Sequence, residues 1–176
     1  MAKWIIDPDH SVASFVVKHL MVANVRGQFN KISGTIHFDP AEPGSASVEA
    51  SIHAPGIYTG IQKRDDHLRS PDFFDTATYQ DISFRSAKVE KNTVNAFRVT
   101  GELVIHGVAR EVTLNAEYFG PEKSPYGETS LGFAATITIN REDFGVRWNV
   151  ALESGGVMVG REVKIYLDIE ADLSGE

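Results

Sequence analysis

The feature that most constrains this chain is a two-residue alternation of apolar and polar side chains, present in nearly every segment and interrupted once, between Ile57 and Phe74. A period of two places successive side chains on opposite faces of an extended strand, so each segment has one face for a core and one for water. In 11–19, Ala13, Phe15 and Val17 share the apolar face, with Ser14 and Lys18 opposite. In 29–38, Ile32, Gly34, Ile36 and Phe38 alternate with Ser33, Thr35 and His37; Phe29 has the wrong parity, which predicts a bulge at Asn30-Lys31. Val48, Ala50 and Ile52 follow a turn over 39–45. Phe84 marks the inward face of a weaker strand over 81–89, and Phe97, Val99, Gly101, Leu103 and Ile105 form the longest clean run. Gly107 then reverses the chain into Val112, Leu114, Ala116 and Tyr118, the clearest hairpin. Loops over 120–127 and 141–156 lead to two last strands, one with Leu131, Phe133, Ala135, Ile137 and Ile139 inward, the other with Val159, Val163, Ile165, Leu167 and Ile169.

About eight strands joined in sequence, each apolar on one face, suit an antiparallel meander closing into a β-barrel, an all-β fold. At 176 residues the chain is the length of one domain, expected to span 1–176. Eight strands enclose a space that is either filled by side chains or able to hold one small ligand. Gly34, Ala50, Gly101, Ala116 and Ala135 on the inward faces leave room, unless larger neighbours fill it.

The interruption reads as one short amphipathic helix. Thr59 and Gln62 have capping-box spacing, Ser70-Pro71 is a stop, and Ile57, Ile61 and Leu68 fall near one face. Lys63, Arg64, Asp65, Asp66 and Arg69 occupy the other side, and Phe73-Phe74 follow. Since this helix cannot cover the strands' apolar face alone, it is expected to be a lid over one barrel end, with Leu68, Phe73 and Phe74 pointing inward.

Composition excludes several functions. The net charge of -7, with no Lys/Arg run longer than Lys63-Arg64, argues against a nucleic-acid partner. Without cysteine there is no disulfide, thiol catalysis or Cys-ligated zinc. The six histidines form no HxH, HxxxH or HExxH pair, so no metal site is expected. Asp7-Pro8-Asp9-His10-Ser11 holds the residue types of a nucleophilic triad, but adjacent residues do not easily adopt its geometry; a turn whose polar side chains bond local backbone is expected. No catalytic residue is expected. No apolar run approaches the roughly 20 residues of a spanning helix, so stable membrane insertion is not expected. The N-terminus lacks an export segment of about 7–15 apolar residues. The expected location is cytoplasmic, or periplasmic if a leader was removed.

The stretches W-I-I-D-P-D-H-S, F-V-V-K-H-L, V-R-G-Q-F, R-D-D-H-L-R-S-P-D-F-F, I-H-G-V-A-R-E-V-T-L and N-R-E-D-F-G-V together resemble the YceI-like family of lipid-binding proteins, from Trp4 to about Ile169. The resemblance implies a lipocalin-like antiparallel eight-stranded barrel with one short helix closing an end. It also implies a polyisoprenoid, isoprenoid-quinone-like or fatty-chain lipid in the interior, no further cofactor, and commonly a homodimer. It supports Phe15, Val17 and His19 as the inward side of the first strand, and Leu68, Phe73 and Phe74 as the closing segment. The ligand-lining set is then expected to include these six with Ile32, Ile36, Phe38, Ile52, Phe84, Val99, Leu103, Leu114, Phe133 and Ile137, and Trp148 at the mouth. Arg26, Asp65 and Arg69, with His19, are the head-group candidates. The alternatives are an interaction module of a stress response with a filled core, and an enzyme acting on an isoprenoid lipid.

Overall fold

The structure, a computed structural model, describes residues 1–175. Ten strands form one antiparallel sheet: β1 (Lys3–Ile6), β2 (Val12–His19), β3 (Ala23–Phe29), β4 (Ile32–His37), β5 (Ser47–His53), β6 (Asp81–Lys91), β7 (Ala96–Ile105), β8 (Val108–Lys123), β9 (Thr129–Asn140) and β10 (Val159–Leu173). Helix α1 (Gln62–Arg69) lies between β5 and β6. The barrel nevertheless has eight strand positions. β1 and β2 share one, both pairing with β10, and β3 and β4 share the next, pairing with β2 and β1 respectively. The ring closes where Trp4 meets Leu173 and Ile6 meets Ala171. The fold is thus the expected lipocalin-like eight-stranded barrel with one helix.

Both interruptions have local causes. Between β1 and β2, Pro8 lacks the N–H that a ladder needs. The Asp7 carboxylate accepts from the Asp9 amide at 2.8 Å and contacts the His10 ring at 2.6 Å, while the Ser11 hydroxyl exchanges hydrogen bonds with the Glu170 backbone. The polar cluster is the expected turn. The second break falls at Asn30-Lys31, where Phe29 returns to inward parity and is buried. Two strands lie outside the alternating segments read from the sequence: Ala23–Phe29, and Lys3–Ile6, which contributes the buried Trp4 and Ile6. Four residues are too few to establish a period, and Val25-Arg26-Gly27-Gln28 has too few apolar side chains to show one.

Turns fix the hairpins. His106 and Gly107 both have left-handed backbone (φ 54° and 70°), the geometry of the two-residue turn whose twist matches its strands, and Ile105 pairs with Val108 across it. The β2–β3 turn is one residue longer, Leu20–Val22 between the paired His19 and Ala23; Leu20 (φ 50°) and Met21 (φ 60°) take the same left-handed backbone, and the Val22 amide donates to His19 O at 3.1 Å. Left-handed backbone costs a residue with a β-carbon about 1–2 kcal/mol. Gly101 meets a different need: a β-carbon there would lie 2.3 Å from Arg85 O, because β6 bulges across from it at Ser86–Lys88.

One barrel end is sealed by rings. Phe38 packs against Phe97, Phe133 and Tyr118 with centroids 5.9, 5.5 and 4.9 Å apart, and the Trp4 indole donates to Phe38 O at 3.2 Å. The segment carrying α1 covers the opposite end.

Candidate functional site

Between the aromatic plug and α1 the barrel encloses a cavity of about 270 Å³. Ser14, Ser83 and Arg141 border it, but no polar atom is accessible on its wall. Along β9 the wall runs from Phe133 to Ile139, six residue steps, which at about 3.3 Å each and a tilt near 40° is roughly 15 Å along the barrel axis. Phe15, Val17, Ala50, Leu103 and Leu114 point inward yet are only half-buried, because they face this space rather than one another. Unfilled apolar volume costs about 24 cal/mol per Å³, so filling this cavity is worth roughly 6 kcal/mol.

The structure places Phe15, Val17, Ile32, Ile36, Phe38, Ile52, Leu68, Phe73, Phe74, Phe84, Val99, Leu103, Leu114, Phe133 and Ile137 on the cavity wall. His19 and Trp148 are not on it. His19 has the inward parity of Val17 but lies past the rim, at the exposed end of β2. Trp148 packs outside the lid, 4.9 Å from the His67 ring and 5.3 Å from Phe73, so it holds Phe73 from behind.

The helix differs from the amphipathic reading. Ile61 is exposed at the N-cap, Thr59 makes no capping box, and Leu68 is the sole apolar residue of α1. Polar contacts pin the segment instead. The buried Asp65 carboxylate accepts from the Thr59 amide at 2.9 Å and from the Thr59 hydroxyl. Arg64 donates to the Thr59 hydroxyl and carbonyl at 2.7 and 2.9 Å. Arg69 donates to Pro55 O and Ile57 O at 2.8 and 3.0 Å and pairs with Asp66, not with Asp65. Asp65 and Arg69 are therefore engaged by the lid's own backbone and do not face the cavity. Arg26 is exposed on the outer face of β3, opposite Val16. None of the three, nor His19, lies where a group inside the cavity could reach it.

A polar residue that sequence reasoning did not assign a role holds the other side of this end. Arg141 is buried, and its guanidinium donates to Gly160 O, Val146 O and Val159 O at 2.8, 2.9 and 3.2 Å. Burial pushes its pKa below the usual value, and the nearby Glu142 opposes that shift. These bonds strap the 3₁₀ turn Arg141–Phe144 to the start of β10, aiming Phe144 and Val146 at the cavity. The available signal was local: Asn140 accepts from the Glu142 amide at 3.0 Å and Gly145 takes left-handed backbone (φ 76°), a capped turn spelled by N-R-E-D-F-G.

Among the described residues, one group has ligand-type atoms within 4.8 Å of one another, Asp7, His10 and Glu170. It lies at the break between β1 and β2, where the Asp7–His10 contact shapes the turn. Among the described residues, no helix is long and apolar enough to cross a membrane.

A closed antiparallel barrel with a helix over one end and a hydrocarbon-walled interior defines the class of lipocalin-like barrels. The chain belongs to the YceI-like family, whose domain model matches residues 4–171. It is 37% identical to a UPF0312 protein of Staphylococcus aureus (strain N315) over 175 residues, 99% of each chain. Among solved structures it is similar to BcnA of Burkholderia cenocepacia, with a TM-score of 0.80 and 25% identity over 94% of this chain and 98% of that one. It shares its fold with a polyisoprenoid binding domain from Saccharophagus degradans implicated in plant cell wall breakdown, with a TM-score of 0.72 and 16% identity over 99% and 100% of the two chains.

Proposed function

We propose that the protein binds a long-chain amphiphilic lipid of polyisoprenoid or isoprenoid-quinone type and sequesters or carries it, with the tail in the barrel and the polar head outside. The observation that carries this reading is the cavity wall without an accessible polar atom. A ligand's polar group placed there would lose its water without gaining a partner, at a penalty of several kcal/mol, whereas each buried methylene contributes about 0.8 kcal/mol. About ten buried tail carbons then supply roughly 8 kcal/mol of gross driving force, from which the cost of association and of ordering the tail is subtracted. The family membership and the shared fold with a polyisoprenoid binding domain support the same reading.

The hydrocarbon wall also favours binding over catalysis, since no acid, base or nucleophile on it reaches a chain lying inside. The cavity likewise weighs against an interaction module with a filled core. Organic extraction of protein purified from its native source, followed by mass spectrometry, tests the proposal. A long-chain lipid in near-stoichiometric amount is expected; repeated empty extracts would refute it.

A further inference from the structure

The β2–β3 turn sits outside the cavity and has a conformation and a composition that folding does not require. Its central residues Leu20 and Met21 both take left-handed backbone, where asparagine and glycine are at home, yet both carry large apolar side chains. They are 38% and 54% exposed, Val22 beside them is 81% exposed, and Val150 on the adjoining loop is 42% exposed. The two loops are joined: the Leu20 amide donates to Met158 O at 2.7 Å, the Met158 amide to Val150 O at 2.9 Å, and the Met21 side chain lies over Gly156. Between Trp148 and Gly160 the one charged residue is Glu153, and 19–25 carries no acidic residue, Lys or Arg. This double tip, with Glu153 its one charge, lies at the helix end of the barrel, with Val17 and Val159, on the cavity wall, at its base.

We propose that this tip is a docking element for a lipid bilayer, inserting Leu20, Met21 and Val22 reversibly among zwitterionic headgroups so that the cavity end faces the membrane. The proposal rests on the lipid-holding reading, to which it adds a route for loading and unloading. Four protruding side chains, three on a convex turn and one on the adjoining loop, fall well short of the roughly 800 Å² per partner of a stable protein interface, but suit shallow insertion beneath headgroups. The hydrogen bonds of Leu20 and Val22 leave their amides satisfied on entering a medium without water. The net charge of -7 disfavours an anionic surface, so attraction comes from the apolar tip and salt has little effect on it.

The test is the double substitution Leu20→Asn, Met21→Gly, which places turn-forming residues at the same positions. It is expected to melt higher than the wild type and to bind an anthroyloxy-labelled fatty acid within twofold of it. Co-sedimentation with phosphatidylcholine vesicles, and the part of fatty-acid transfer whose rate rises with vesicle concentration, should each fall at least tenfold. Tip-dependent co-sedimentation without probe binding would sink the cavity reading and still support docking. Docking is overturned if the variant sediments and transfers like the wild type. It is equally overturned if wild-type transfer is independent of vesicle concentration, or if the tip drives self-association but no vesicle binding.

Discussion

Ala116 and Ala135 lie directly opposite each other on β8 and β9, and both border the cavity. Replacing Ala135 with leucine adds three carbons where the structure has space. At about 0.8 kcal/mol per buried carbon, less about 0.5–1 kcal/mol of rotamer freedom, Ala135→Leu should stabilise the ligand-free protein by about 1–2 kcal/mol. For a chain of this length that raises the melting temperature by roughly 3–6 °C. The same three carbons exclude tail carbons, so affinity for a chain that fills the cavity should fall roughly fifty-fold. Adding Ala116→Leu should extend both trends. Thermal melts of delipidated protein and titration with a fluorescent fatty acid measure the two effects. A filled core would instead be overpacked and lose about 1–3 kcal/mol. A lower melting temperature, or unchanged affinity, would refute the reasoning.

Three further outcomes are expected. Asp65→Ala removes a buried carboxylate that Thr59 uses twice, so it should destabilise the protein by about 2–3 kcal/mol and speed amide exchange at Thr59, whereas unchanged exchange would show that the lid is held otherwise. The hydrogen bond that His10 Nδ1 donates to the Asp7 carboxylate raises the pKa of His10 and lowers that of Asp7. The His10 contribution is therefore complete below its ordinary pKa and fades as pH rises through the raised value; the Asp7 contribution is complete above its ordinary pKa and fades as pH falls through the lowered one. An NMR titration should place His10 above about 6.5, with Asp7→Asn returning it toward that value, and an unshifted His10 in the wild type would contradict this. Gly101→Ala forces a β-carbon against Arg85 O and should cost about 2 kcal/mol in a denaturant melt; wild-type stability would mean that β6 does not bulge there.

The barrel was legible because alternation is a strong signal wherever a strand has one wet face, and the runs ending at Ile105, Tyr118 and Ile139 carry it without interruption. The strand over 23–29 was not legible, since Phe29 is its one buried residue and Val25 the one other large apolar side chain along it. The lid's position was readable from its break in period, but its anchoring was not: Asp65 resembles any solvated helical carboxylate until the backbone of Thr59 is placed beside it. The same limit explains His19, where parity gives the face of a strand but not where the barrel wall ends. Arg141 was hidden for a related reason, because a charged side chain that satisfies three carbonyls is identified by fold contacts rather than by spacing.

The central claim is that the apolar cavity receives a lipid chain. A fatty acid carrying a nitroxide at its chain end, added to protein with labelled methyl groups, tests this by paramagnetic broadening in NMR. Broadening of Leu103, Leu114 and Ile137, with the Leu20 and Val22 methyls unaffected in the absence of vesicles, is the predicted result. Broadening confined to Leu20 and Val22, with sharp resonances inside the barrel, would contradict the account.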